Sequence, residues 1–176
     1  LHWHLTDDQG WRLEIKKYPL LTEVGSIRKK TLVGHLFDSE IYDDKEYGRG
    51  CYYTQEQVKE ILEYAAAKGI TVIPKLNFSA FHCNWLKQYS RMISSDIYYR
   101  VAADLIREVY EVFEHPAYIH LGMDEENYAL ATTEELIICR QGDLLFKDMR
   151  FLCDCVKEQG ATPWVWHDNL FFHPEK

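Results

Sequence analysis

Short apolar runs of strand character alternate along this chain with amphipathic stretches of helical period, and that alternation limits the possible folds more than any other feature. Thr54-Gln55-Glu56-Gln57 has the pattern of a capping box, in which the Thr54 hydroxyl accepts the third helical amide and Gln57 reaches back. Val58, Ile61, Leu62 and Ala65 then recur at helical spacing, and Gly69 stands where a left-handed C-cap is wanted. Ile70-Thr71-Val72-Ile73-Pro74 follows at once and reads as a buried strand. The cycle repeats: Val101, Ala102, Leu105, Ile106, Val109 and Phe113 mark a helix ended by Pro116, and Tyr118 to Leu121 the next strand. Leu145, Met149, Leu152 and Val156 mark a third helix closed by Gly160, and Thr162 to Trp166 a further strand. Leu1 to Leu5 supplies an earlier strand. Strands alternating with helices mean βαβ units and a parallel sheet. The Gly25 to Tyr53 run, rich in charge and carrying Gly34, Gly48 and Gly50, is expected to be an excursion holding a short helix.

The polar residues refine this α/β reading. Each strand ends in a reactive-looking cluster: Asp7 and Asp8, then Lys75, Asn77 and His82, then Asp124, Glu125 and Glu126, then His167 and Asp168. Functional groups gathered at the C-terminal ends of successive parallel strands are expected of a (β/α)8 barrel of the TIM type. A doubly wound sheet would gather them near one switch point instead. Four βα units are half of such a barrel, which typically takes ~250 residues, so the 176 residues are read as one partial barrel domain over 1–176. The chain opens at Leu1 in strand-like alternation and closes just after another strand. It is therefore expected to be cut from a longer protein that supplies the remaining half of the barrel.

Charge and composition exclude several function classes. Twenty Lys and Arg against 28 Asp and Glu give a net charge of −8, which repels phosphate backbones and argues against nucleic acid as a partner. No apolar run reaches the ~18 residues of a membrane-spanning helix, so no membrane partner is expected. Cys51, Cys83, Cys139, Cys153 and Cys155 form no CxxC pair. They read as small buried thiols, in keeping with a reducing compartment, and not as a disulfide framework or zinc site.

Candidate chemistry concentrates at the strand ends. Asp124-Glu125 closes His120-Leu121-Gly122-Met123-Asp124-Glu125. A pair of carboxylates there suits glycoside chemistry, one giving a proton and the other stabilising positive charge. Strict pleating sends neighbouring side chains to opposite faces, so both reach one substrate only if the strand ends or bulges near Gly122. The structural alternative is an acidic helix N-terminus. His2-x-His4 puts two imidazoles on one strand face, a spacing that suits a metal with Lys75 as a bridging lysine; packing inside a barrel is the alternative, and no second histidine pair completes a metal shell. Lys75 at a strand end would favour the ionised forms of Asp124 or Glu125 if it lay beside them. His82 sits at the rim and is either functional or an ordinary loop histidine. Trp166 at a strand end could stack on a sugar face, whereas Trp3, Trp11, Trp85 and Trp164 read mostly as core. Tyr52, Tyr53, Tyr98 and Tyr99 read as packing residues near helix starts.

Taken together these residues resemble glycoside hydrolase family 20, the β-N-acetylhexosaminidases. His2-Trp3-His4-Leu5-Thr6-Asp7-Asp8-Gln9-Gly10-Trp11-Arg12 is similar to that family's second-strand motif. Gly50 to Gln55 with the helix and Ile70 to Pro74 is similar to its third βα unit, His120 to Glu125 to its His-x-Gly-x-Asp-Glu motif, and Trp164-Val165-Trp166-His167-Asp168 to its fifth strand. The resemblance implies barrel strands two to five and a substrate-assisted, retaining mechanism without a cofactor, in which the 2-acetamido oxygen of an N-acetylhexosaminide is the nucleophile. It implies Glu125 as general acid and then base, and Asp124 as the group that orients the acetamido and stabilises the oxazolinium-like intermediate. Trp166 would wall the acetamido pocket, with Asp7, Asp8, His82, His120 and Asp168 among the substrate-binding polar groups. Two positions depart from the pattern. The family runs Pro-Glu-x-Asp and then Pro-Gly-His, where this chain has Pro74-Lys75-Leu76-Asn77 and then Phe78-Ser79-Ala80-Phe81-His82. Those changes keep a non-catalytic sugar-binding relative in view, and His2 and His4 keep a metal-dependent amidohydrolase.

Overall fold

Three long helices return the chain to one parallel sheet in a computed structural model that describes residues 1–7, 10–27, 30–33, 40–43, 50–79, 94–124, 140, 142–172 and 174–175, the side chains of 7, 30–33, 40–43 and 172 excepted. In chain order the elements are β1 (His2–His4), β2 (Thr6–Asp7), β3 (Gly10–Trp11), α1 (Leu20–Glu23), β4 (Lys30–Val33), β5 (Glu40–Asp43), α2 (Gln55–Ala67), β6 (Ile73–Lys75), α3 (Asp96–Val112), β7 (Tyr118–His120), α4 (Asp143–Glu158), β8 (Thr162–Trp164) and α5 (Asp168–Phe172). The main sheet has the order β1-β6-β7-β8, and every pairing in it is parallel. Its spatial order follows chain order without reversal, which is the winding of a barrel and not of a doubly wound sheet.

The helices form where the local signals lie. Thr54 caps α2, accepting from the Gln57 amide while the Gln57 side chain takes the Thr54 N–H, so both halves of the capping box are present. Ser95 caps α3 by accepting from Tyr98. The three long helices end alike. Ile70 N–H returns to Ala65 O and Gly69 N–H to Ala66 O; His115 and Glu114 do the same to Tyr110 and Glu111; Ala161 and Gly160 to Val156 and Lys157. Each is a Schellman motif with its pivotal residue in the left-handed region, at φ +70° for Gly69 and +94° for Gly160. In α3 the pivot is Glu114, at φ +55°.

Register decides which side chains meet. Trp3 lies opposite Pro74, and Ile119 opposite Pro163. This parity faces the helices: the Trp3 ring sits 5.8 Å from Phe113 at the end of α3 and 5.0 Å from Tyr53, and Ile119 is fully buried. His4, Lys75, His120 and Trp164 line up across the four strands with the other parity, on the face a barrel encloses. Leu105, Ile106 and Val109 of α3 and Leu152 and Val156 of α4 complete the core between sheet and helices, all with no exposed surface. Asp104, held by Lys17 at 2.7 Å and by the Tyr18 hydroxyl at 2.7 Å, ties the segment before α1 to α3. These partners keep its carboxyl below the usual range against the opposing effect of burial, which is the largest influence on it.

Several expectations change. Among its described residues the excursion before α2 holds an antiparallel strand pair, β4 with β5, pairing Lys30 with Asp43 and Val33 with Glu40; the described short helix, α1, precedes Gly25. The strands are shorter than their apolar runs, β6 starting only at Ile73 and β8 ending at Trp164, because the flanking residues pair through isolated hydrogen bonds such as Leu121 N–H to Trp164 O. Of the described cysteines Cys51 is exposed, Cys153 half-buried and Cys155 buried, because Cys51 sits ahead of α2 and not on its packed face; Cys83 and Cys139 lie outside the described residues. Of the tryptophans, Trp11 is core and Trp164 is 42% exposed; Trp85 lies outside the described residues. Tyr98 is buried, whereas Tyr52 and Tyr53 are more than a third exposed.

Candidate active site

Asp124 reaches the sheet's C-terminal rim through a turn of unusual hand. Strand β7 stops at His120, and Gly122 and Met123 follow at φ +72° and +66°. Left-handed geometry is free for glycine but costs a side-chain-bearing residue about 1–2 kcal/mol. The turn is held from several sides. Trp166 N–H donates to Gly122 O at 2.9 Å, Asn169 Nδ2 to Met123 O at 2.7 Å, and Gly122 N–H to His120 Nδ1 at 3.0 Å. The break in pleating that a shared carboxylate site requires therefore occurs at Gly122, as the sequence suggests.

On the neighbouring strand end, Asn77 Oδ1 accepts both the Ser79 N–H at 3.2 Å and the Ser79 hydroxyl at 2.5 Å, an Asx turn. Ser79 Oγ also lies 3.2 Å from Asp124 Oδ1. Asn77 N–H donates to Thr6 Oγ1 at 2.7 Å, which joins this group to the end of β1. Asn77 Nδ2 has no hydrogen-bond partner among the described residues. Gly122 fits against this group closely: a Cβ added there would stand 2.2 Å from Asn77 Oδ1.

Beneath the rim lies a cluster of rings. His120 stacks 4.6 Å from His2 and 4.7 Å from Trp166, and Lys75 Nζ stands 5.2 Å from the centroid of the Trp166 ring, a cation–π contact. His2, His120, Trp164 and Trp166 line an open pocket of about 500 Å³. Burial, then His2 and Lys75, push the His120 pKa down to about 4, with Asp124 opposing. Gly122 donates to Nδ1, so the proton of the neutral ring sits on Nε2. Burial and then Lys75 also lower the His2 pKa. Lys75 thus acts on both histidines, while Glu125, one of the carboxylates to which the sequence pointed, lies outside the described residues. His4 Nε2–H donates to Thr6 O at 2.8 Å, which occupies one nitrogen of the His2-x-His4 pair. Among the described residues no group of three His, Cys, Asp or Glu side chains gathers as a metal site.

A fully buried ion pair supports both strand ends from behind. Arg140 Nη1 meets Asp148 Oδ2 at 3.1 Å, with side chains 1% and 0% exposed. Its Nη2 donates to Phe78 O at 2.7 Å and approaches Met123 Sδ at 3.9 Å. Ser94 and Tyr99 donate to the two oxygens of Asp148, so that carboxylate is fully hydrogen-bonded. Burial and the Asp148 bond push the Tyr99 hydroxyl up to about 12.

Of the residues expected at the site, Asp124, His120 and Trp166 come together at the ends of β7 and β8. Asp168 opens α5, next to the Asn169 that holds Met123. The backbone of Asp7 pairs with Gly10 in β2 and β3. Asp8, His82 and Glu125 lie outside the described residues. Ser79, Thr6, Asn169 and Arg140 went unread in the sequence; only Asn77-x-Ser79 carried a local signal, as an Asx-turn pattern.

Comparison with known proteins follows the same strands. The model of the glycosyl hydrolase family 20 catalytic domain matches residues 1–98. A beta-hexosaminidase of Porphyromonas gingivalis is 37% identical over 145 residues, 70% of this chain and 17% of its own length. One from Vibrio furnissii is 46% identical over 76 residues, 43% of this chain and 12% of its own. The crystal structure of a beta-N-acetylhexosaminidase from Bacteroides fragilis superposes with a TM-score of 0.72 at 28% identity, covering 97% of this chain and 36% of that one. A mutant Streptomyces plicatus beta-hexosaminidase in complex with product (GlcNAc) gives 0.71 at 25%, covering 97% and 33%. The chain thus spans under a fifth of these two curated relatives and about a third of these two solved chains.

Proposed function

This chain belongs to glycosyl hydrolase family 20, and from that premise we propose that it forms strands two to five of a catalytic barrel whose protein hydrolyses terminal β-linked N-acetylhexosamine residues. The observation that carries the reading is the Gly122–Met123 turn, which delivers Asp124 to the rim beside Ser79, with His120 and Trp166 below. In the proposed reaction the substrate's acetamido oxygen attacks the anomeric carbon as the glycosidic bond breaks. Glu125 protonates the departing oxygen, and Asp124 accepts from the acetamido N–H while positive charge develops on the ring. Water, deprotonated by Glu125, then opens the oxazolinium with retention. Trp166 walls the acetamido pocket, and Asp7, Asp8, His82, His120 and Asp168 complete the polar surround of the sugar. No cofactor enters this scheme. Beta-hexosaminidase and N,N'-diacetylchitobiase are the names carried by relatives, and one related structure holds N-acetylglucosamine.

The test is turnover of nitrophenyl N-acetyl-β-glucosaminide against the plain β-glucoside by the full-length protein. Cleavage of the acetamido substrate alone, lost in Glu125→Gln and unmoved by a chelator, is expected. Loss with chelator would favour a metal hydrolase. A second reading, a sugar-binding relative without turnover, draws on Lys75 buried against Trp166. A folded parent that binds N-acetylglucosamine and cleaves neither substrate would establish it.

A further inference from the structure

We propose that Ser79 is the positioning residue for Asp124, its hydroxyl fixing one carboxylate oxygen so that the other meets the acetamido N–H; this rests on the role given to Asp124 above. The argument begins with protons. The Ser79 N–H needs an acceptor and finds Asn77 Oδ1 at 3.2 Å, so the amide must present its oxygen to Ser79. The Ser79 hydroxyl therefore faces two acceptors, Asn77 Oδ1 at 2.5 Å and Asp124 Oδ1 at 3.2 Å. With two acceptors and one proton it acts as a donor.

The position of that donor is fixed by the backbone around it. Phe78 N–H donates to Leu121 O at 3.0 Å and Leu76 N–H to His120 O at 2.9 Å, which joins the β6 extension to the β7 extension. Arg140 holds the Phe78 carbonyl, and Thr6 holds the Asn77 amide. Ser79 has no exposed surface, so water does not compete for the hydroxyl. A short, immobile donor thus stands beside a carboxylate that ends a turn of left-handed residues. Asn77 adds no charge of its own there. When an acetamido N–H engages Oδ2 of Asp124, the Ser79 proton can leave Asn77 for Oδ1 by rotation about one bond, and both oxygens of the carboxylate are then held.

The test is a double-mutant cycle on the full-length protein, with Ser79→Ala and Asp124→Asn read by kcat and KM on nitrophenyl N-acetyl-β-glucosaminide. Ser79→Ala is expected to lose roughly tenfold or more, mainly in kcat, since small misplacements of a reacting group cost up to about a hundredfold. In the Asp124→Asn background the same change is expected to add no further loss. Ser79→Cys, which keeps a weaker donor on a somewhat larger atom, should fall between, and it serves in place of Ser79→Ala if that variant does not fold. Equal losses in both backgrounds would mean a general structural role and overturn the proposal, as would a crystal structure of the full-length protein with Ser79 Oγ beyond hydrogen-bond reach of Asp124. A wild type without turnover overturns the hydrolase reading and moves the cycle to equilibrium binding of N-acetylglucosamine against glucose. There, roughly tenfold weaker N-acetylglucosamine binding by Ser79→Ala, abolished in the Asp124→Asn background, supports the proposal, and unchanged affinity overturns it. A wild type that neither cleaves nor binds overturns both.

Discussion

Replacing Gly122 by alanine tests whether the turn that presents Asp124 is as constrained as its geometry implies. The substitution puts a side chain at φ +72°, which costs about 1–2 kcal/mol. It also places the new Cβ 2.2 Å from Asn77 Oδ1, 2.7 Å from its Cγ and 3.0 Å from its Cα. The Cα is backbone and cannot swing aside. Relieving the overlap means displacing Asn77, whose amide is bonded to Thr6 and whose Oδ1 accepts twice from Ser79. Losing two or three such bonds, at about 1 kcal/mol each, brings the total to about 3–5 kcal/mol. Urea unfolding of the full-length protein measures this directly. The double variant Gly122→Ala/Asn77→Ala removes the Oδ1 and Cγ contacts and should leave a penalty nearer that of the left-handed residue alone, beyond the loss from Asn77→Ala itself. A Gly122→Ala penalty below about 1 kcal/mol would refute both parts of the reasoning, and one unchanged by the second substitution would refute the overlap.

Other expectations follow from features described above. Glu114→Gly relieves the one non-glycine pivot among the three Schellman caps and should raise stability by roughly 0.5–1 kcal/mol, read as an upward shift in Tm. Arg140→Met leaves Asp148 charged and buried and should destabilise by about 3–5 kcal/mol; adding Asp148→Leu should recover much of that in denaturant titration. The His120 pKa lies near 4 in the fold against 6.5 ordinarily, so the unfolded chain takes up this proton first as pH falls. Its contribution to stability should be constant above about pH 6.5 and decline toward pH 4 by on the order of 3 kcal/mol. His120→Gln should flatten that part of the unfolding-midpoint profile.

The elements legible in the sequence are those whose determinants lie within a few residues of each other. Thr54 with Gln57, and Gly69 and Gly160 as pivots, mark helix ends by bonds spanning three to five residues, and they fall where the periodicity puts them. The β4–β5 pairing was not legible, because Lys30 to Val33 and Glu40 to Asp43 mix charge into short strands and no local turn pattern marks their register. At the candidate site, Asp124 and Trp166 could be read from their places at strand ends, and His120 from the resemblance of its motif. Ser79 could not, since its contact with Asp124 joins residues 45 apart in sequence and depends on the register of β6 against β7. Lys75 was legible as a strand-end cation, but its contact with Trp166 needed the order of the strands.

The three matching helix caps also bear on how such barrels can change. Because α2, α3 and α4 all hand the chain back to the sheet through the same small left-handed hinge, the helix-to-strand side of the molecule works as a set of standard joints. The strand-to-helix side is where Asp124, Ser79 and Trp166 lie. A βα unit exchanged with a relative at junctions such as Gly69 and Gly160 would keep the joint geometry while importing a new rim. Recombination at those points should yield folded chimeras with altered chemistry far more often than crossovers placed inside the Asn77–Asp124 group.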